Sequence, residues 1–455
     1  MKSLKLLLRF LTVGGLVLLL LIPLMMIRGA IHDRQAYRAQ AVQRVSQSMA
    51  GPQQLVGPLR VIPWREPRVV NEAGPDGKPV TRTEVVEGYV FQTPKTMRAQ
   101  GALKPDVRRI GLYNVRVFEW QAGLQAAFDP LRLAIVPGRS YGQPYLVLGL
   151  GDVRGLVGTP DIKVDGTPVT LESGTQAMSE RLHGMHANLP EIIGDLLPAS
   201  HVDANFRLNG TQSLGIAPIA DSNQITLGST WPHPSFAGRF LPNRRHIQAD
   251  GFSAEWEISS LASAAQSQLA KGGGLLTKRD NAVDVYGTTG SGENAIDSVE
   301  VSLVDPVDIY TQADRASKYG ILFVVLTFVG FALFELIKRL PIHPLQYLLV
   351  GLALAIFFLL LLSLSEHIEF LKAYLISAVA CIGLQFVYLS GVLKSWLRAS
   401  GFAVMLTALY GVLYSLLISE DNALLMGSLL LFGILAAIMW ITRKVDWYEL
   451  GSSLR

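Results

Sequence analysis

The placement of its apolar runs constrains this chain more than any other feature. The first run, "FLTVGGLVLLLLIPLMMI" from Phe10 to Ile27, would reach about 27 Å as a helix, close to the depth of a bilayer core. No further run of that length occurs before Tyr319, and then five follow quickly: Tyr319–Ile337, Tyr347–Leu364, Ala373–Leu393, Phe402–Ile418 and Ala423–Ile441. The pattern predicts six membrane spans with one large domain inserted after the first. Lys2, Lys5 and Arg9 precede the first run, as in a signal peptide. The run exceeds a usual signal core and no small-x-small site follows, so it reads as an uncleaved anchor.

Charge gives the orientation. From Ala30 to Arg315 there are 27 Lys and Arg against 29 Asp and Glu, which leaves 13 against 7 for the rest of the chain. The positive excess therefore flanks the spans, where it acts as a topology signal and not as a nucleic-acid footprint. The short loops alternate: "KRLPIHP" basic, "SEHIEF" acidic, "LKSWLR" basic, "SED" acidic, "RKVDW" basic at its start. With basic loops inside, both termini are cytoplasmic and the large domain lies outside, in the periplasm of a Gram-negative cell. The single cysteine, Cys381, sits in an apolar run. No disulfide framework or thiolate zinc cluster can form within one chain, and the exported domain has no thiol to oxidise.

The inserted domain reads mainly as β. "IHDRQAYRAQAVQRVSQSMAGP" carries Tyr37, Ala41, Val45 and Met49 every fourth residue, a helical stripe that ends at Gly51-Pro52. Beyond it the period falls to two. Val202, Ala204, Phe206 and Leu208 alternate with Asp203, Asn205, Arg207 and Asn209, and Phe252, Ala254, Trp256 and Ile258 alternate with polar residues. These are strands with one wet face. Asp165-Gly166 marks a two-residue hairpin turn, and "VVNEAGPDGKPVTRTEVV" a hairpin with a longer, mobile loop. Helical inserts are expected around Gln176–Leu197 and Ser260–Lys271. The predicted fold class is a membrane protein with an N-terminal transmembrane anchor, a large periplasmic, mainly-β domain resembling an antiparallel sandwich, and a C-terminal five-helix transmembrane bundle. The boundaries are 1–29 for the cytoplasmic tail and first span, 30–52 for a juxtamembrane helix, 53–315 for the β-rich domain, 316–442 for the bundle and 443–455 for a cytoplasmic tail.

Candidate chemistry is sparse. "GLGDVRG", Gly149 to Gly155, lacks the spacing and the βαβ setting of a dinucleotide loop and reads as a β-turn. His183 and His186 stand three apart, a spacing that on a helix could present two metal ligands; Gly184 between them weakens a helix, and no third ligand is marked. Ser365, Glu366 and His367 have triad composition, but neighbours on a helix point apart, so a polar cap is the better reading. Glu335 lies within a span, where acids are costly and often functional, yet Lys338 and Arg339 are close enough to pair with it. In "TWPHPSFAGRFLP", Thr230 to Pro242, the prolines rule out helix and central strand. Trp231, His233 and Phe236 are its candidate residues, either as a structural plug on the edge of the β-domain, with His233 buried and hydrogen-bonded, or as a binding lip. No catalytic, cofactor or metal residue is assigned.

Several stretches, spread over almost the whole chain, resemble the CreD family of inner-membrane proteins, also described as colicin-tolerance proteins. They are "LLIPLMMIRGAIHDRQAYR", "SQSMAGPQQLVGPLRVIP", "TWPHPSFAGRFLP", "QADRASKYGILFVVLTF", "HPLQYLLVGLALAIFFLLLLSLSEH" and "RKVDWY". The resemblance implies an envelope protein with one long periplasmic domain, produced under a two-component stress response and linked to envelope integrity and to altered sensitivity to toxins and cell-wall antibiotics. It brings no catalytic or cofactor residue. The expectation is a non-enzymatic protein whose partners are membrane lipids and other envelope proteins, with no nucleic acid; the alternatives are a transporter or a lipid- or glycan-handling protein.

Overall fold

The computed structural model describes residues 2–73, 79–273, 296–303, 309–338, 343–418 and 423–443. The chain divides into two units, one formed by Met1–Arg38 with Val307–Arg455 and the other by Ala39–Pro306.

The first unit is helical. Helix α1 spans Lys2–Ser48 without a break despite Pro23, so the anchor and the juxtamembrane helix of the sequence reading are one element. Four more helices, numbered after the short α2 of the other unit, follow the expected runs: α3 Ile309–Lys338, α4 Pro344–Ser365, α5 Phe370–Val392 and α6 Trp396–Ile418. Together with α1 these are five helices long and apolar enough to cross a membrane among the described residues. A further helix, α7 Ala423–Thr442, stands where the sixth run was read. Within this unit Asp314 of α3 pairs with Arg28 at 3.7 Å and Lys318 at 2.7 Å, and Glu366 at the end of α4 pairs with Arg34 at 3.2 Å. The acids are shielded by these partners, as carboxylates near a membrane core must be. Ser365, Glu366 and His367 point apart: Ser365 Oγ donates to the Leu362 carbonyl, and the His367 ring meets the Ser363 carbonyl. Glu335 lies in α3, with its side chain outside the described residues.

The second unit is a two-sheet sandwich. Among the described residues one sheet has nine strands. Its main path runs Leu171–Ser173, Gly184–Asn188, Tyr145–Leu150, Gln53–Ala73, Ser213–Ile216, Val299–Leu303, Pro234–Gly238. The other has eight, in the order Arg244–Gln248, Gly251–Ser259, Ser222–Ser229, Thr96–Ile110, Tyr113–Phe128, Ser200–Thr211, Leu156–Val164, Thr167–Pro168. One contiguous core joins them, with Leu55, Val56 and Val147 from the first sheet and Trp120, Leu208 and Trp256 from the second all fully buried. The two alternating segments bury the residues that the period-two pattern selects. Pairing is mostly antiparallel, but Gln53–Leu55 pairs in parallel with Leu214–Ile216, and Ser222–Ser229 with Thr96–Leu103. The antiparallel sandwich expected from the sequence thus includes two parallel pairings, where strands distant in the chain meet through the sandwich crossovers.

The Asp165-Gly166 turn is present, with both residues at positive φ (50° and 78°). The long hairpin pairs from Arg60↔Gln92 out to Ala73↔Pro79, and its loop tip lies outside the described residues. The helical insert expected at Gln176–Leu197 is a single 3-10 turn, Gln176–Met178, followed by the strand Gly184–Asn188. Gly184 explains the difference, because its Cβ would meet the Leu148 carbonyl, so the backbone lies flat against the neighbouring strand. The second insert shortens to α2, Ala265–Ala270. In the juxtamembrane stripe Tyr37 is exposed, while Ala41 and Val45 pack on Val115 and Val117.

The junction between α1 and the sandwich is a dense polar knot. Gln53, 2% exposed, donates to the carbonyls of Asp152 and Asn209 and accepts from the Asp152 N–H. The Asp152 carboxylate accepts from the Gly51 N–H and pairs with Arg154. Arg154 donates to the carbonyls of Ser46 and Gln47 in the last turn of the helix, and the Thr211 hydroxyl donates to the Ala50 carbonyl. Burial alone would raise the Asp152 carboxyl, but hydrogen bonds from Arg154 and Gly51 and the charge of Arg154 outweigh it and hold the pKa below its ordinary 3.8. A carboxylate depressed in the folded state adds stability above its unfolded pKa and loses it as pH falls through the folded one. Acid melts should therefore show the sandwich weakening below about pH 4, and Asp152→Asn should flatten that limb. Gly155 and Gly210 leave room for Gln53, since a Cβ on either would crowd its side chain. Gln53→Ala should cost about 1–3 kcal/mol by stranding buried backbone groups, and Gly155→Ala about 1–3 kcal/mol by driving its Cβ into the Asn209 carbonyl and the Gln53 amide, both measured as a lowered denaturation midpoint; unchanged midpoints would refute the knot's role.

Candidate functional site: an open groove across the second sheet

A concavity of about 800 Å³ lies on the wet face of the eight-stranded sheet. Period-two alternation turns every second side chain of these strands outward. The register then lines five of them up across neighbouring strands: Thr226↔Gln100, Gln100↔Gly123, Gly123↔Asn205, Asn205↔Asp161. Adjacent strands stand about 4.8 Å apart, so the row spans about 19 Å.

The rows on either side are closed by internal contacts. On one side Arg98 donates to Gln224 at 3.0 Å and Gln125 to Asp203 at 3.1 Å. On the other, Gln121 reaches Glu119, which also lies 3.9 Å from Arg207. In the central row Asp161 pairs with Lys163 at 3.4 Å. The exposed Gln100 and Asn205 amides have no protein partner among the described residues. Asp161 is the one carboxylate on the groove lining.

The residues singled out from the sequence lie elsewhere. Pro234–Gly238 forms the edge strand of the nine-stranded sheet, with Pro234 as its first residue, where a missing N–H costs no ladder bond. Phe236 packs edge-on against Phe252 at 5.7 Å and Trp256 at 5.8 Å. Trp231 is half-buried; the Arg116 guanidinium lies 3.6 Å from the centre of its ring, and its indole N–H donates to the His233 carbonyl. The His233 side chain is exposed and stacks edge-on with Trp231, where burial was expected. His183 is exposed ahead of the strand Gly184–Asn188, while His186 is buried, its Nδ1 2.9 Å from the Gly174 carbonyl. The two do not converge, and no metal-binding group of three or more ligands occurs among the described residues. "GLGDVRG" is a strand end and a 3-10 turn, with no helix N-terminus for a phosphate. The groove residues carry no local motif; only Asn205, Arg207 and Ser253 showed from sequence as wet-face positions, and the row exists only through register.

Comparison with known proteins adds three likenesses. The sequence pattern of a family described as "Inner membrane protein CreD" matches residues 5–448. The inner membrane protein CreD of Escherichia coli (strain K12) is 37% identical over 438 residues, which cover 95% of this chain and 92% of that protein. Among solved structures, an M1 zinc metallopeptidase from Deinococcus radiodurans overlaps 36% of this chain and 38% of its own at 9% identity and a TM-score of 0.20, and a variant of it reaches a TM-score of 0.21. Overlaps at that level transfer neither fold nor activity.

The edge segment generates a graded prediction. Phe236→Ala removes a half-buried ring from an aromatic cluster and should cost about 2–4 kcal/mol. Trp231→Ala should cost about 1–3 kcal/mol, from lost packing and the stacked guanidinium. His233→Ala should stay within about 0.5 kcal/mol. Chemical denaturation of the three variants checks the order; a His233 effect equal to that of Phe236 would contradict the geometry.

Proposed function

Because the chain belongs to the CreD family of inner membrane proteins, we propose that it supports the integrity of the bacterial envelope and tolerance to envelope stress, cell-wall antibiotics and colicins. In this reading it is not an enzyme. Its sandwich faces the periplasm and acts by binding, its helices hold it in the membrane with both termini in the cytoplasm, and its partners are lipids and other envelope proteins. The observation that supports this most is the construction of the sandwich. The concavity on its second sheet is an open groove bearing side-chain amides, with one carboxylate on its lining, whereas glycoside hydrolysis normally places two. The alternating loop charges support the orientation.

Two measurements test this. Cells lacking the chain should change in survival under envelope stress or colicin, with rescue by the intact gene; unaltered survival throughout would overturn the role. Cysteines placed at Glu257 and Glu420 should react with an impermeant thiol reagent from outside, and one at Lys394 only after the membrane is opened. Protection of the Glu257 position in intact spheroplasts would invert the topology.

One observation favours transport as a second reading. Gln385 of α5 is 2% exposed, and neither atom of its amide has a hydrogen-bond partner among the described residues. Together with Ser377 and Cys381 it forms a buried polar stripe at four-residue spacing, and buried polar groups in a span often mark a pathway. If so, Gln385→Leu abolishes envelope tolerance while the protein remains folded in the membrane; retained tolerance counts against transport.

A further inference from the structure

We propose that the central row of the groove, Thr226, Gln100, Gly123, Asn205 and Asp161, binds a linear, uncharged glycan strand. The proposal deepens the envelope reading by naming a ligand class, and it rests on that reading only for the side of the membrane on which such a polymer is met.

Glycine at position 123 is the central observation. Its φ is not in the left-handed region, and a Cβ there would meet Gln100 and Asn205 only at ordinary contact distances of 3.5 and 3.6 Å. Neither backbone nor packing therefore demands glycine, in contrast to Gly158 at φ +72°. What the glycine creates is a notch in the sheet face, flanked on adjacent strands by two side-chain amides. Each amide offers a donor and an acceptor, and each is free while the rows beside it are tied up in internal pairs.

The chemistry of the row selects its occupant. Its reach of about 19 Å, with a polar group on nearly every strand, suits a chain of linked sugar rings whose hydroxyl and acetamido groups recur along its length. The carboxylate at one end, Asp161, pairs with Lys163, and Arg207 on the lining lies 3.9 Å from Glu119, so no excess of positive charge attracts an anionic polymer. A peptide strand would pair at a sheet edge through its main chain, but this groove crosses the middle strands, whose backbone groups are already used in the ladders. The lining mixes polar and apolar surface in comparable parts, which suits a sugar ring, with its apolar face and hydroxyl rim, better than a lipid chain. Recognition rests on hydrogen bonds without an exposed aromatic platform on the lining, so affinity must be gained over several rings.

The test uses the full chain in nanodiscs. A series of β-1,4-linked N-acetylglucosamine oligomers from two to six units is titrated by calorimetry and by saturation-transfer NMR, beside an extended neutral peptide and heparin. Binding should strengthen with oligomer length. Gln100→Ala and Asn205→Ala, both on exposed side chains, should each weaken it about three- to tenfold, and Gly123→Leu should remove it with the melting temperature retained. If Gly123→Leu misfolds, the two amide variants carry the test. Absence of binding to every oligomer, binding indifferent to the amide variants, or capture of the peptide or heparin in place of the oligomers would each overturn the proposal. Survival of the same variants under envelope stress is scored separately: full rescue by a chain that has lost oligomer binding separates a failed ligand assignment from a failed envelope role.

Discussion

The sandwich depends on one buried amide. Gln53 stands where α1 ends and the first strand begins, and its side chain reaches both sheets: it bonds Asp152 after one strand of the first sheet and Asn209 within the second. A helix end and two sheet margins leave many backbone groups unpaired, and here they are closed against one another by Gln53, Asp152, Arg154 and Thr211. Gly155 and Gly210, where an added Cβ would collide with this side chain, show how little volume is spare. Removal of a single member leaves buried groups without partners, which is why the knot matters more than any one of its bonds.

Once that corner is set, the long strands fix the rest by register. Gln53–Ala73 pairs with strands on both sides and carries the paired hairpin. In the other sheet Thr96–Ile110 and Tyr113–Phe128 pair along their full length, and a slip of one residue would turn their core faces to water. The groove is a consequence of this strictness. Its row of polar side chains is straight because four pairings hold it so, and a strand out of register would scatter it.

The helical unit follows different rules. With lipid around it, apolar burial distinguishes little, and the informative contacts are polar ones inside: Asp314 with Arg28 and Lys318, Glu366 with Arg34, and the Tyr374 hydroxyl donating to the Tyr410 carbonyl. An inner membrane protein of this kind combines a helical unit specified by its length and hydropathy with a sandwich specified by pairing.

Much of this was legible in the sequence. Helices α4, α5 and α7 stand within three residues of their apolar runs, while α6 starts six and α3 ten residues early and α1 continues through the juxtamembrane stripe, because helix in a bilayer is imposed by the need to satisfy every backbone group locally. The faces of Ser200–Thr211 and Gly251–Ser259 were set by alternation, and the Asp165-Gly166 turn by its tolerance of positive φ. The parallel pairings, the strand at Gly184–Asn188 in place of a helix, the exposure of His233 and the groove itself were decided only by tertiary structure. Each depends on which distant strand lies alongside. Cross-strand contacts of this kind leave no local period in the chain, whereas hydropathy, turns and alternation do.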